Sequence, residues 1–120
     1  ALAKIHHKFC SMVEKAGGFI DGIFFCPHLP TDGCGCRKPA TGMLSQIENE
    51  FSCSLRDCFL VGDSYKDIQA ALTFGLRPIL VRTGKGSATE QRLLISKTRG
   101  VPVVDSLAMA VKDVILQADE

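Results

Sequence analysis

The apolar residues of this chain alternate between helical spacing and short continuous runs from one end to the other. Residues 1–16 carry the first helical pattern, which ends at Gly17-Gly18. This spacing predicts an amphipathic helix whose apolar face consists of Leu2, Ile5, Phe9, Met12, Val13 and Ala16. Because the helix begins at the first residue without a cap, we expect that the sequence starts inside a domain.

Four short apolar runs predict β-strands at residues 19–25, 58–61, 78–81 and 101–104. The run 58–61 is apolar throughout, which is typical of a parallel strand that is covered on both faces. Helical patterns separate the runs, so strands and helices alternate. This order predicts an α/β fold with a parallel sheet and right-handed crossovers. Ligands bind such sheets at the C-terminal edge of the strands.

Three hydroxyl residues mark predicted helix starts. Thr41 is expected to cap one helix, while Ser64 and Ser87 each precede an acidic residue, Asp67 and Glu90, at the spacing of a capping box. The predicted apolar positions of the helices after Thr41 and Ser64 and of a closing helix are Met43, Leu44, Ile47, Phe51, Ile68, Ala71, Leu72, Leu107, Ala110, Val111, Val114 and Ile115.

Composition places the chain among ordinary globular proteins. Its 120 residues suffice for one domain or part of one, and 46% are hydrophobic and 22% charged. The net charge of +1 gives no basic field for nucleic acid. No apolar run approaches the roughly 20 residues that span a bilayer. The cysteines, expected as thiols or metal ligands, favour a reducing cytoplasm over a secreted disulfide scaffold.

Four candidate ligands for a soft metal ion lie close together in one loop, residues 26–36. Cys26 and His28 form one pair, Cys34 and Cys36 form another, and one residue separates the members of each pair. Imidazole and thiolate are the ligands that zinc prefers, and four of them complete a tetrahedron. Because protein fills all four positions, the pattern predicts a structural zinc site.

A disulfide is the alternative for these cysteines, with Cys10, Cys53 and Cys58 as further partners. A bond within either closely spaced pair would be strained. The one-residue spacing also departs from the two to four residues typical of zinc fingers. The zinc prediction therefore depends on the ligand types and on the compactness of the loop.

Asp63 follows a predicted buried strand by one residue. A carboxylate in that position is a hard oxygen ligand, suited to magnesium that keeps several waters and a substrate phosphate. Asp67, one helical turn later, could orient that site, cap its helix or do both.

Three cations stand near the predicted C-terminal edge. Arg37 and Lys38 follow the zinc loop and offer a bidentate fork and a point charge to an anion. Lys85, between Gly84 and Gly86, could meet a phosphate through its ammonium and neighbouring amides. Each of these cations could instead be a solvated loop charge.

No convincing nucleophile accompanies these groups. Ser64 has no histidine in local register, and Cys10, Cys53 and Cys58 stand in helical or strand patterns where a buried, inert thiol is expected. From the residues alone we infer an anion site with a carboxylate metal ligand, and no reaction.

Taken together, four segments resemble the haloacid dehalogenase superfamily of phosphatases, and most closely its heptose 1,7-bisphosphate phosphatases, with the histidinol-phosphate phosphatases as neighbours. Residues 26–39 are similar to the zinc loop of that subgroup, and Thr41-Gly42-Met43 to the segment after it. Val61-Gly62-Asp63-Ser64 through Asp67 matches the acidic motif of the superfamily, and residues 82–86 resemble the following loop of the heptose enzymes.

The resemblance implies roles for individual residues. Lys38 would steady the phosphoryl group and Arg37 would help to hold the substrate. Asp63 would bind a catalytic magnesium ion, Asp67 would support it, and the zinc would be structural. The implied reaction is removal of the C7 phosphate through an aspartyl-phosphate, as part of lipopolysaccharide-heptose synthesis.

The chain departs from the family in one respect. The nucleophilic Asp-x-Asp motif and the phosphate-binding hydroxyl of the first two strands have no counterpart in the sequence. We therefore expect residues 1–120 to be the C-terminal part of one domain and to be inactive alone. The alternatives are a histidinol-phosphate phosphatase and a truncated zinc module that binds a partner or phosphorylated ligand without turnover.

Overall fold

The structure, a computed structural model, describes residues 2–24, 41–98 and 100–118. Five helices and three strands follow one another in these ranges. They are α1 Leu2–Lys15, α2 Gly42–Phe51, β1 Phe59–Gly62, α3 Tyr65–Phe74, β2 Arg77–Val81, α4 Gly86–Ile95, β3 Val103–Val104 and α5 Leu107–Ala110, which continues as a π-helical turn, Val111–Ile115.

The three strands form one parallel sheet in the order β1-β2-β3. Phe59 lies opposite Arg77, and Gly62 lies opposite Leu80, so the two strands end side by side. The sheet confirms the predicted α/β fold. It also brings the turns after β1 and β2 to the same edge.

Alternate residues of β2 enter two separate apolar clusters. Leu80 packs with Ile68 of α3 and Leu93 of α4 on one face of the sheet. Ile79 and Val81 point to the other face, where Ala110 of α5 joins them. Because successive side chains of a strand point in opposite directions, β2 is covered on both faces. The buried strand therefore fixes the position of the turn that follows it.

Strand β1 is less enclosed than the sequence predicts. All four of its residues are half-buried. Within the described ranges β1 pairs only with β2, so one of its edges has no described neighbour. The parallel strand predicted at residues 58–61 thus forms, as Phe59–Gly62, but it is only half-buried, and the strand with the more deeply buried side chains is β2.

A strand is predicted at residues 19–25. Its described part, residues 19–24, does not form a strand. A strand requires a ladder partner, and no described strand lies beside this segment. Gly22 also weakens strand propensity. Phe24 instead packs edge-on against Phe51 of α2, with ring centroids 6.2 Å apart.

The predicted helices at residues 1–16 and after Thr41 are confirmed as Leu2–Lys15 and Gly42–Phe51, but their apolar faces are not buried. Ile5, Phe9 and Met12 of α1 are all more than half exposed. Helix α2 contains no fully buried residue, and the side chain of Thr41 makes no capping hydrogen bond. Helical spacing thus located these helices correctly but did not reveal what covers them.

The two predicted capping boxes have different outcomes. The hydroxyl of Ser64 accepts from the Asp67 amide, and the Asp67 carboxylate accepts from the Ser64 amide, each at 3.2 Å. The box at Ser87 is wrong, because α4 begins at Gly86 and Lys85 is its N-cap residue. Glu90 pairs with Arg82 instead.

Candidate functional site

Asp63 lies where the turns after β1 and β2 meet. The main-chain N–H of Lys85 donates to Asp63 Oδ2 at 3.0 Å. The hydroxyl of Thr89, a buried residue of α4, donates to the Asp63 carbonyl at 2.8 Å. The turn after β2 thus holds both the carboxylate and the main chain of Asp63.

Two glycines let the second turn approach so closely. Gly84 has φ +59°, and a Cβ atom there would overlap Asp63 Oδ2. A Cβ atom at Gly86 would overlap the carbonyl of Val81. The two glycines of the Gly-Lys-Gly sequence therefore allow the main chain of this turn to pack closely against the Asp63 carboxylate. The Lys85 amide is used in this contact, while the side chain of Lys85 lines the adjacent cavity.

Asp67 lies beneath the end of β1. Only 6% of its surface is exposed, and its carboxylate completes the capping box of α3. A Cβ atom on Gly62 would come within 2.6 Å of Asp67 Cβ, so glycine is needed where the strand passes over it. The capping role of Asp67 is thereby confirmed, and its role towards a metal stays a prediction.

An open cavity of about 660 Å³ lies in front of Asp63. Two acidic and three basic side chains line it, so its rim can accept both a cation and an anion. The described residues that line it are Met43, Asp63, Ser64, Tyr65, Lys66, Asp67, Lys85, Ala88, Thr89 and Arg92.

The donor set at Asp63 fits a hard divalent cation. One carboxylate oxygen is fixed by the Lys85 amide, and no described residue donates a hydrogen bond to the other. A carboxylate oxygen beside an open, polar cavity leaves room for the waters that magnesium retains.

An ion-pair cluster braces the loop from outside the cavity. Arg82 Nε donates to Glu90 at 3.0 Å, and its Nη1 donates to Asp105 at 2.8 Å. Hydrogen bonding to both carboxylates raises the pKa of Arg82, and the bond from Arg82 lowers the pKa of Glu90. The cluster joins the end of β2 to α4 and to the residue after β3.

Sequence reasoning missed Thr89, Tyr65 and Arg92 as site residues. Thr89 is 26 residues from the carbonyl it contacts, and Arg92 is far along the chain from Tyr65, with which it forms a cation–π contact. No local motif signals either contact. Only the parallel pairing of β1 and β2 brings these residues together.

The remaining predicted site residues lie outside the described ranges. They are Cys26, His28, Cys34, Cys36, Arg37 and Lys38. Within residues 2–24, 41–98 and 100–118, no group of three or more histidine, cysteine or acidic residues is placed to hold a metal. In the same ranges, every helix is too short or too polar to cross a bilayer.

Comparison with known proteins shows which proteins the chain resembles. A family model described as HAD-hydrolase-like matches residues 35–110. A Neisseria meningitidis protein named D-glycero-beta-D-manno-heptose-1,7-bisphosphate 7-phosphatase is 47% identical over 88 residues, covering 73% of this chain and 47% of its own length. A Pseudomonas aeruginosa protein of the same name is 40% identical over 116 residues, covering 97% of this chain and 63% of its own length.

A solved structure is similar over almost the whole chain. The crystal structure of D,D-heptose 1,7-bisphosphate phosphatase from B. bronchiseptica, complexed with magnesium and phosphate, is 41% identical, with a TM-score of 0.84. The match covers 98% of this chain and 64% of that chain. This chain thus spans about half to two-thirds of the length of these relatives.

Proposed function

Because this chain belongs to the haloacid dehalogenase-like hydrolase family, we propose that it forms part of a magnesium-dependent phosphatase acting on D-glycero-D-manno-heptose 1,7-bisphosphate. The proposed reaction removes the C7 phosphate. The observation that carries the proposal is the fixed carboxylate of Asp63, which faces an open cavity beside Lys85. The names of relatives that are 38–47% identical support this substrate.

Asp63 is proposed as the magnesium ligand of this chain. Bound magnesium would neutralise charge on the phosphoryl group. The Lys85 amide and the Thr89 hydroxyl keep the Asp63 carboxylate in one orientation, so the ligand does not have to be ordered when the ion binds. The magnesium in the B. bronchiseptica structure supports this assignment. Asp67 would act through its cap, by fixing the turn that carries Asp63.

Arg37, Lys38 and Lys85 are proposed to bind the substrate. Lys38 would contact the transferred phosphoryl group as a point charge, and Arg37 would offer a bidentate fork. Lys85 already lines the cavity with its side chain. The substrate is a small sugar phosphate, and the near-neutral net charge of +1 supports neither a nucleic acid nor an anionic membrane as partner.

A structural zinc ion is proposed for the loop at residues 26–36. Its ligands would be Cys26, His28, Cys34 and Cys36, a set that suits zinc in number and softness. The ion would hold the loop, and the loop would place Arg37 and Lys38. We also propose a cytoplasmic site of action, in lipopolysaccharide-heptose synthesis. The free thiols of Cys10, Cys53 and Cys58 support a reducing compartment.

The nucleophile is proposed to lie outside these 120 residues, because the sequence contains no Asp-x-Asp motif. The test is an assay of the full-length protein and of the 120-residue chain with magnesium. Heptose bisphosphate and histidinol phosphate are compared side by side. We expect the full-length protein to release phosphate at least about tenfold faster from the heptose, and the 120-residue chain to release none. A preference for histidinol phosphate would refute the substrate proposal.

A further inference from the structure

The guanidinium of Arg92 lies 3.9 Å from the centre of the Tyr65 ring. Tyr65 is the first residue of α3, and Arg92 belongs to α4, so the contact joins the helices that follow β1 and β2. The Tyr65 ring also packs against the buried cluster of Ile68, Leu80 and Leu93. The ring is therefore held from behind and in turn restricts the position of Arg92.

Arg92 differs from Arg77 and Arg82, the arginines of β2 and of the turn after it. Arg82 is paired with two carboxylates. Arg77 stacks over the Phe59 ring at 4.1 Å, but its Nε donates to the Asp57 carbonyl at 2.7 Å, at the opposite end of β2. Arg92 has no carboxylate or carbonyl partner among the described residues, and it lines the cavity that contains Asp63. Its N–H groups are thus available to a ligand.

An arginine fixed by an aromatic face is well suited to bind an anion. The ring occupies one face of the planar guanidinium, and the N–H groups around its edge can still form a bidentate pair with a phosphate. Because the side chain is already held in place, it loses less rotamer entropy when a ligand binds.

We propose that Arg92, positioned by Tyr65, binds the second anionic group of the substrate, the one remote from the transferred phosphoryl group. The inference rests on the proposed function and specifies how a doubly phosphorylated sugar is selected. A phosphoryl group at Asp63 occupies one part of the cavity, and the volume of about 660 Å³ leaves room for a sugar and a second phosphate. Arg92 would then determine specificity for the bisphosphate over a monophosphate.

The test compares two non-hydrolysable ligands, the 7-phosphonate of the heptose with and without a 1-phosphate. Their affinities for the full-length protein with magnesium are measured by isothermal titration calorimetry. We expect Arg92→Met to weaken binding of the doubly charged ligand by about 10- to 100-fold. Binding of the singly charged ligand should change by less than about threefold.

Three further variants separate recognition from folding. Tyr65→Phe keeps the aromatic face and should bind like wild type, whereas Tyr65→Leu should lose about three- to tenfold for the doubly charged ligand alone. Arg77→Met removes a comparable cation–π contact far from the cavity and should leave both affinities unchanged. Thermal melting of each variant verifies that it is folded.

Equal binding of the two ligands by wild type would overturn the proposal. So would an equal loss for both ligands in Arg92→Met, or a loss in Arg77→Met as large as that in Arg92→Met. Phosphate release from heptose bisphosphate by the same wild-type sample is measured separately. Its absence would count against the proposed function, while the difference in affinity would still decide the role of Arg92.

Discussion

The hydroxyl of Thr89 donates a 2.8 Å hydrogen bond to the main-chain carbonyl of Asp63, across 26 residues of sequence. Thr89 lies on α4 and Asp63 follows β1, so this bond joins two consecutive strand–helix units at the rim of the sheet. The proposed metal ligand is therefore oriented by the next unit of the fold as well as by its own turn.

Replacing Thr89 by valine tests this support. The variant keeps the shape of the side chain but leaves the partly buried Asp63 carbonyl without its donor. We expect the free energy of unfolding to fall by about 1–3 kcal/mol. The magnesium concentration for half-maximal activity of the full-length protein should rise several-fold. Denaturant unfolding and a magnesium titration measure the two effects.

Thr89→Ser is the control, because it retains the hydroxyl and should stay close to wild type in magnesium requirement. Equal behaviour of Thr89→Val and Thr89→Ser would refute the role of the bond.

Alanine at Gly84 should displace the Asp63 carboxylate. The new Cβ would overlap Asp63 Oδ2, in addition to the strain of φ +59°. Gly100 is a matched control, because its φ is +80° and a Cβ there would meet nothing within 4 Å. We expect each variant to lose about 1 kcal/mol of stability from the backbone strain, and Gly84→Ala to lose more because of the overlap. Only Gly84→Ala should also lose magnesium-dependent activity, by at least about tenfold. Full activity in Gly84→Ala would contradict the contact.

The zinc proposal predicts a fixed metal content. Elemental analysis of the purified full-length protein should find about one zinc ion per chain. Cys34→Ser should lose most of it, and the protein should become less stable to heat. Cys53→Ser is the control, since Cys53 is a free thiol that is exposed, not buried as the sequence predicts. A fully folded wild-type protein without zinc would remove the proposed role of the loop.

The pairing of Arg82 with Glu90 predicts a pH-dependent stability. The hydrogen bond from Arg82 lowers the pKa of Glu90 below its ordinary value of 4.5. The contribution of this ion pair to the stability of the fold is therefore fully present above pH 4.5 and is lost as the pH falls through the lowered pKa of Glu90.

Glu90→Gln should accordingly melt slightly below wild type at neutral pH. The difference should shrink as the pH falls below 4.5 and Glu90 becomes protonated. It should also shrink in high salt, because the pair is solvent-exposed. Glu50→Gln, at an exposed position of α2, should show little change at either pH. A difference between Glu90→Gln and wild type that grows on acidification would show that the sign is wrong.

Local sequence signals predicted those parts of the fold that local contacts determine. The Ser64–Asp67 capping box, the end of α3 at Gly75 and the apolar strand at residues 78–81 all follow from short-range spacing. The Asp63 turn was found for the same reason. A strand end followed by a carboxylate is visible within five residues.

Long-range contacts explain most of the remainder. Glu90 has the spacing of a capping residue, yet its carboxylate pairs with Arg82 across the loop, and Lys85 occupies the N-cap position instead. Residues 19–24 have strand-like composition but no described ladder partner. The contacts of Thr89 and Arg92 depend on which strands pair, and one sequence does not reveal strand order.

The central claim is that Asp63 binds magnesium, and titration of the full-length protein with magnesium, followed by calorimetry, tests it most directly. Asp63→Asn is compared with Asp105→Asn, because Asp105 also follows a strand of the sheet but is paired with Arg82. We predict that Asp63→Asn weakens magnesium binding by at least about tenfold while Asp105→Asn binds like wild type. Wild-type magnesium affinity in Asp63→Asn would contradict the account.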